Sequence, residues 1–182
     1  MEIRPLKLDG IYEITLKPAC DDRGYFMRAY DEDIFHRRGL ETAWVQESQS
    51  VSTRRGVLRG LHFQKPPHTE TKLVRVVVGS VLDVFVDLRQ SSPTYGQWDS
   101  LELAAGNMNC VYIPKGFAHG YCTLTDETIV LYKVDSSYAP DSEGGILWDD
   151  ETLAIPWPVE HPIVSPKDSR LPHLRGFTTP FV

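Results

Sequence analysis

The stretch Val81-Leu82-Asp83-Val84-Phe85-Val86-Asp87-Leu88 decides the fold. Its even positions are all apolar, while the odd ones hold Val81, Asp83, Phe85 and Asp87, a period of two that belongs to a β-strand and not to a helix. The even face is expected to look inward, with the two aspartates on the other face. Working outward, similar short β-rich runs follow at close spacing: 11–16, 44–51, 57–63, 72–78, 98–103, 110–113, 121–124 and 129–134. Gly79-Ser80 reads as a hairpin turn, and Ser91-Ser92-Pro93 and Ala105-Gly106-Asn107 are turn chemistry. The pattern predicts an all-β antiparallel sandwich or barrel. One stretch departs from it: Asp31 to Gly39 has acids at its start, bases at its end and a glycine stop, which predicts a short peripheral helix.

The 182 residues suit one domain, with a core over about residues 40–135 and a Pro-, Trp- and acid-rich segment, 136–182, packed over one end of a sheet. Nineteen basic against 25 acidic residues leave a net charge of −6, and no block of five like charges occurs, so no nucleic-acid partner is expected. No apolar run approaches the roughly 20 residues of a bilayer span, and Met1 to Pro5 has no apolar signal core behind it, so neither a membrane partner nor secretion is expected. The three cysteines, Cys20, Cys110 and Cys122, form no C-x-x-C pair, which argues against a disulfide framework or a cysteine zinc site and for a reducing cytoplasm. Cys110 and Cys122 sit in apolar stretches and are expected to be buried fillers.

Two histidines stand in comparable settings: His62 in Arg59-Gly60-Leu61-His62-Phe63-Gln64, and His119 in Pro114-Lys115-Gly116-Phe117-Ala118-His119-Gly120. Both segments resemble the paired motifs of the cupin superfamily. Metal-binding cupins carry a second histidine where this chain has Gln64, and the next acid, Glu70, lies further along. His62, His119 and Glu70 alone would make a depleted three-ligand set. A metal-dependent cupin enzyme is therefore an alternative, and no metal or cofactor is expected. Taken singly, each histidine is better explained as a hydrogen-bonded barrel residue.

Other blocks narrow the choice. Asp22-Arg23-Gly24-Tyr25-Phe26, Gly56 to Gln64, Lys72-Leu73-Val74-Arg75-Val76, Asp83 to Arg89, Ile113 to Gly120, Tyr132-Lys133 and Ser165-Pro166-Lys167-Asp168 together resemble the dTDP-4-dehydrorhamnose 3,5-epimerase family in order and spacing. The resemblance spans nearly the whole chain. It implies a metal-free cupin jelly roll, homodimeric, that acts on a nucleotide-diphosphate 4-keto-6-deoxysugar in deoxysugar and surface-polysaccharide biosynthesis. By that resemblance His62 is the base, Asp168 holds its imidazole, and Tyr132 is the acid on the far side of the sugar. Lys72 and Arg59 supply positive charge to the keto oxygen or diphosphate, and His119 contacts the sugar. Arg23 takes phosphate, Phe26 stacks on the nucleobase from the other subunit, and Tyr138, Glu143 and Lys167 complete the substrate contacts. The residue chemistry agrees: a proton beside a ketone leaves readily when a base sits over the carbon and a donor holds the developing enolate, and inversion needs a second group to return a proton from the opposite face.

Two departures fall in the region that reads the base. Arg28 stands where the family commonly has glutamate, and Gln46-Glu47-Ser48-Gln49-Ser50 replaces Gln-Asp-Asn-His-Ser, with Gln46 and Ser48 as base contacts. A guanidinium donates only, so it cannot accept the imide N–H of thymine as a carboxylate does. This leaves a CDP-linked sugar 5-epimerase as an alternative to the dTDP enzyme; Arg28 facing solvent or a phosphate is the plainer reading. A sugar-nucleotide binding module without catalysis is the third class.

Overall fold

A computed structural model describes residues 1–182. Thirteen strands and one helix follow in order: β1 (Glu2–Pro5), β2 (Tyr12–Thr15), β3 (Ala19–Asp21), β4 (Gly24–Phe26), α1 (Glu32–Arg37), β5 (Gln46–Ser52), β6 (Leu58–Gln64), β7 (Lys72–Val78), β8 (Ser80–Asp87), β9 (Trp98–Ala104), β10 (Asn109–Ile113), β11 (Phe117–Thr123), β12 (Thr128–Val134) and β13 (Glu143–Gly145). Short 3-10 turns lie at Pro140–Ser142 and Asp168–Arg170. No helix is long and apolar enough to cross a membrane. The strands form a six-stranded sheet in the order β1-β2-β10-β7-β12-β5, a five-stranded sheet in the order β13-β6-β11-β8-β9, and a separate β3–β4 hairpin. Every pairing within the sheets is antiparallel.

The two large sheets face each other. Val74 and Val76 of β7, Val111 and Ile113 of β10 and Val130 of β12 share one apolar cluster with Val81 and Phe85 of β8, Leu103 of β9, and Phe117 and Tyr121 of β11. This is the jelly-roll sandwich that the sequence pattern and the resemblance imply. The five-stranded sheet is covered on its other face too: Leu61, Phe63, Val84, Val86 and Leu88 pack under Ile146, Leu153, Ile155 and Phe181 of the C-terminal segment. That segment has little regular structure and is organised instead by the buried Asp150 carboxylate, which accepts the backbone N–H groups of Thr152, Leu153 and Leu174 at 2.9, 3.0 and 2.8 Å.

The double covering corrects the reading of β8. Val81 and Phe85 face the space between the sheets, and the apolar even positions lie beneath the C-terminal segment. Alternation finds the strand but cannot rank its faces when both are buried. Asp83 is fully buried beside His119, and Asp87, at the strand end, is held by Arg89, Ser92 and Thr94. Pattern reading also starts β11 four residues late, since Phe117 already pairs with Asp87. Strands β1, β3, β4 and β13, three or four residues each, are too short to show a period. Helix α1 forms as expected: Asp31 caps it by accepting the Ile34 N–H at 3.2 Å, and Phe35 is buried. Cys110 and Cys122 are buried and Cys20 is exposed; burial pushes the Cys110 thiol up to about 12 and the Cys122 thiol up to about 11.

One irregularity in the five-stranded sheet sets which of its side chains point inward. Between β6 and β11, His62 pairs with His119 and Arg59 pairs with Tyr121, so Gly60 and Leu61 together oppose Gly120 alone. This β-bulge resets the alternation of β6. Residues three apart on a regular strand point to opposite faces, yet Arg59 and His62 both reach the space between the sheets. The bulge needs glycine on both strands, because a Cβ on Gly60 would meet the Gly120 Cα at 2.5 Å and one on Gly120 would meet the Arg59 carbonyl oxygen at 2.7 Å. Gly120→Ala is expected to destabilise the chain by roughly 1–3 kcal/mol, the usual cost of overpacking. Gly106→Ala, whose Cβ would meet nothing within 4 Å, serves as the control in urea unfolding. Equal midpoints for the two variants would contradict this account of the bulge.

Candidate active site

A cavity of about 700 Å³ opens between the sheets. Arg59 and His62 of β6 line it with His119 and Tyr121 of β11; from the facing sheet come Lys72 and Val74 of β7, Tyr132 of β12 and Ser50 of β5. Arg59 and His62 arrive together because of the bulge, and the residues of the facing sheet arrive through strand parity. Lys72 shares a face with Val74 and Val76, and Tyr132 shares one with Val130 and Val134. Val134 pairs with Lys72 and Tyr132 pairs with Val74, so the lysine and the tyrosine are diagonal neighbours, about 7–8 Å apart between backbones. The cavity therefore has a histidine wall on one sheet and a tyrosine–lysine wall on the other.

Asp168 closes the histidine wall from the C-terminal segment. Its Oδ1 lies 2.8 Å from His62 Nε2, and its Oδ2 accepts the Gly60 N–H at 3.1 Å, a donor at the bulge. The Asp168 N–H in turn donates to Ser165 Oγ at 3.0 Å. Burial works against the Asp168 charge, but the hydrogen bonds and charge of His62 and the bonds from Gly60 and Ser165 outweigh it and hold the carboxyl below the usual carboxylate range. An ionised Asp168 has no proton to give, so His62 Nε2 carries the hydrogen of that bond and Nδ1 is the nitrogen left free to take one.

The second histidine is also paired. His119 Nε2 sits 3.0 and 2.9 Å from the two oxygens of Asp83. Burial pushes the Asp83 carboxyl up, against the opposing pull of His119 and Lys72. The Lys72 ammonium lies 3.0 Å from Glu70 Oε1. Tyr121 donates its hydroxyl to Ser50 Oγ at 2.9 Å, and burial pushes its phenol up. His62, His119 and Glu70 each bond a different partner, and no three His, Cys, Asp or Glu side chains stand together as the three-ligand set would need.

Of the residues singled out in the sequence, His62, Asp168, Tyr132, Lys72, Arg59 and His119 converge on the cavity. A second group meets beside it. Tyr138 donates its N–H to Gln46 Oε1 at 2.6 Å and its hydroxyl to Glu143 Oε2 at 3.0 Å, and Lys167 ion-pairs with the same Glu143 oxygen at 2.5 Å. Burial opposes the Glu143 charge, yet Lys167 and Tyr138 hold its carboxyl below the usual range. Ser48 lies on β5 directly across from Tyr132. Three expected residues do not reach the cavity of their own chain. Arg23 sits at the tip of the β3–β4 hairpin bound to Asp21, Phe26 is 72% exposed, and Arg28 donates to Asp31 at 3.1 Å. Sequence reading missed Asp83, Ser50 and Tyr121 as site residues; a lone acid inside an apolar strand was the available signal for Asp83, and nothing marked the two hydroxyls.

A family model described as dTDP-4-dehydrorhamnose 3,5-epimerase matches residues 5–176. The chain belongs to that family. It is 48% identical over 169 residues to the dTDP-4-dehydrorhamnose 3,5-epimerase of Shigella flexneri, covering 92% of this chain and 93% of that protein. Among solved structures, the dTDP-4-dehydrorhamnose 3,5-epimerase of Bacillus anthracis, with TDP and PPi bound, superposes with a TM-score of 0.93 at 44% identity over 95% of this chain and 99% of that one. The dTDP-6-deoxy-D-glucose-3,5-epimerase of Legionella pneumophila, in complex with dTDP-4-keto-L-rhamnose, gives 0.91 at 39% identity over 96% and 93%.

In this epimerase-family chain the lowered carboxyls carry an acid-stability consequence. Because the folded Asp168, Asp87 and Asp150 bind protons less readily than their unfolded forms, their contribution is complete above the ordinary aspartate value of about 3.9. It is lost as pH falls through the depressed folded values. Thermal unfolding measured downward from pH 6 should therefore show a shallower loss below about pH 4 for Asp168→Asn than for the unaltered chain. Parallel curves would show that Asp168 is not held low.

Proposed function

We propose that the chain inverts carbons 3 and 5 of a dTDP-linked 4-keto-6-deoxyhexose. The observation that carries this reading is the pair of opposed walls: His62 with Asp168 on one sheet, Tyr132 with Lys72 on the other, and a sugar-sized cavity between. His62 Nδ1 takes the proton from the carbon beside the ketone, and the electron pair of that C–H bond moves to the carbonyl oxygen. Asp168 stabilises the imidazolium formed. Lys72 and Arg59 meet the oxyanion, and such preorganised charge in a partly desolvated site is worth far more than in water. The Tyr132 phenol then delivers its proton to the carbon from the opposite side. The imidazolium loses its proton to water and the phenolate regains one, so each inversion exchanges a carbon-bound hydrogen with solvent.

The nucleotide is held, in this reading, by two copies of the chain acting together. The β3–β4 hairpin stands apart from both sheets with Tyr25 59% and Phe26 72% exposed, and β5 is an open edge of the six-stranded sheet beside the cavity. A partner's hairpin would bring Arg23 to the diphosphate, where its planar fork suits two phosphate oxygens, and Phe26 to the base. Arg28 is engaged by Asp31, which itself caps α1, so the substitution at this position lends no support to a cytosine reader.

Turnover of dTDP-4-keto-6-deoxyglucose in heavy water should place deuterium at carbons 3 and 5. His62→Asn should lower that rate by about 10²–10⁴ while leaving dTDP affinity by calorimetry within a few-fold. Tyr132→Phe should retain proton removal at carbon 5 but lose the inverted product; full inversion without the phenol would remove Tyr132 from its role. Light scattering should give a mass about twice the 20.7 kDa of one chain, and a monomer that is fully active would overturn the shared site.

A further inference from the structure

Gln64 ends β6 two residues beyond His62, on the same face, and is 3% exposed. Its amide joins three pieces of backbone and one side chain. Nε2 lies 3.0 Å from the His68 carbonyl oxygen, 3.3 Å from Glu70 Oε2 and 3.3 Å from the Ser137 carbonyl oxygen, while Oε1 accepts the Ala139 N–H at 2.7 Å. A primary amide has two protons on one nitrogen, so both are committed among three acceptors and no donor is left for substrate. Gln64 therefore does not touch the reacting sugar; what it touches leads there by two routes.

The first route runs through Glu70. One carboxylate oxygen of Glu70 receives Gln64 and the other holds the Lys72 ammonium at 3.0 Å, with both the acid and the lysine 13% exposed at their side chains. The second runs through Tyr138, whose two chain neighbours are the ones gripped by the amide. With the Tyr138 N–H on Gln46, three successive residues of this segment are pinned by glutamine side chains. Glu143, which accepts the Tyr138 hydroxyl, pairs across the strands with Gln64 itself.

We propose that Gln64 is a positioning residue for the epimerisation, fixing Lys72 through Glu70 and the Tyr138 segment through Ser137 and Ala139, so that the cation and the tyrosine keep one relative placement. The inference rests on the epimerase function proposed for the cavity. Other side chains of similar size lack the required pattern. A carboxylate at position 64 offers no proton to three oxygens, one of them the charged Glu70. An imidazole carries its N–H groups on different sides of the ring. An apolar chain leaves the Ser137 carbonyl and the Ala139 N–H without the amide that meets both.

The test uses Gln64→Glu, Gln64→Met and Glu70→Ala in the full chain, with kcat and KM for dTDP-4-keto-6-deoxyglucose, dTDP affinity by calorimetry and thermal unfolding. The expected result is a fall in kcat of tenfold or more in each variant, with dTDP affinity within twofold in Glu70→Ala, because dTDP lacks the sugar that Lys72 would meet. A kcat within twofold of the unaltered chain overturns the proposal, as does a parallel loss of kcat and dTDP affinity in Glu70→Ala, which marks a general disturbance of the fold. Should both position-64 variants fail to fold, Glu70→Ala decides on the Lys72 route, and unaltered turnover there overturns it. Deuterium uptake by the unaltered chain separates the two readings: none at all sinks the epimerase assignment, whereas normal uptake with unaffected variants sinks only the role of Gln64.

Discussion

The Asp168 carboxylate is the contact on which the arrangement of the cavity depends. It reaches β6 from 106 residues further along the chain and meets both products of the bulge at once: the Gly60 N–H and the His62 ring. An unpaired buried N–H and an unpaired buried carboxylate are each costly, so each supplies the reason for the other to stay in place. The same contact anchors the C-terminal segment, whose other apolar residues cover the outer face of the five-stranded sheet. The cavity wall and the outer covering share this one carboxylate.

The space between the sheets holds both an apolar cluster and a cavity with charged side chains in its lining, and most of those side chains are paired. Asp168 with His62, Asp83 with His119, and Glu70 with Lys72 give each of three nitrogen bases lining the cavity its own acid partner. Desolvation disfavours an isolated charge in such a place, and the outcome differs between the pairs: the bonds to Asp168 hold its carboxyl low, whereas burial outweighs His119 and Lys72 at Asp83 and pushes its carboxyl up. A polar substrate entering this space meets donors and charges already oriented, so little rearrangement is needed when negative charge develops on it.

Much of this was legible in the sequence, and the limits have physical causes. Period-two alternation located the long strands, since each has at least one apolar face; it misjudged β8, where both faces are buried and the acid lies inside. His62 and Lys72 fall on strands that the pattern finds, but their convergence depends on the bulge, and no local signal distinguishes Gly60 and Gly120 from ordinary turn glycines. Asp168 and Lys167 come from irregular chain and Glu143 from a three-residue strand, neither of which shows a period, so only the resemblance to a known family tied them to the histidine. The network of Gln64 was invisible for the opposite reason: three of its four contacts are to backbone atoms, whose positions side-chain patterns do not encode.

The cysteines have a practical consequence. Thiols react as thiolates, and burial keeps Cys110 and Cys122 protonated far above physiological pH, whereas Cys20 lies exposed on the β3–β4 hairpin. A maleimide dye would thus attach at one address without mutagenesis, on the hairpin that also carries the exposed Tyr25 and Phe26. The native chain carries its own site for a fluorescent label on that hairpin.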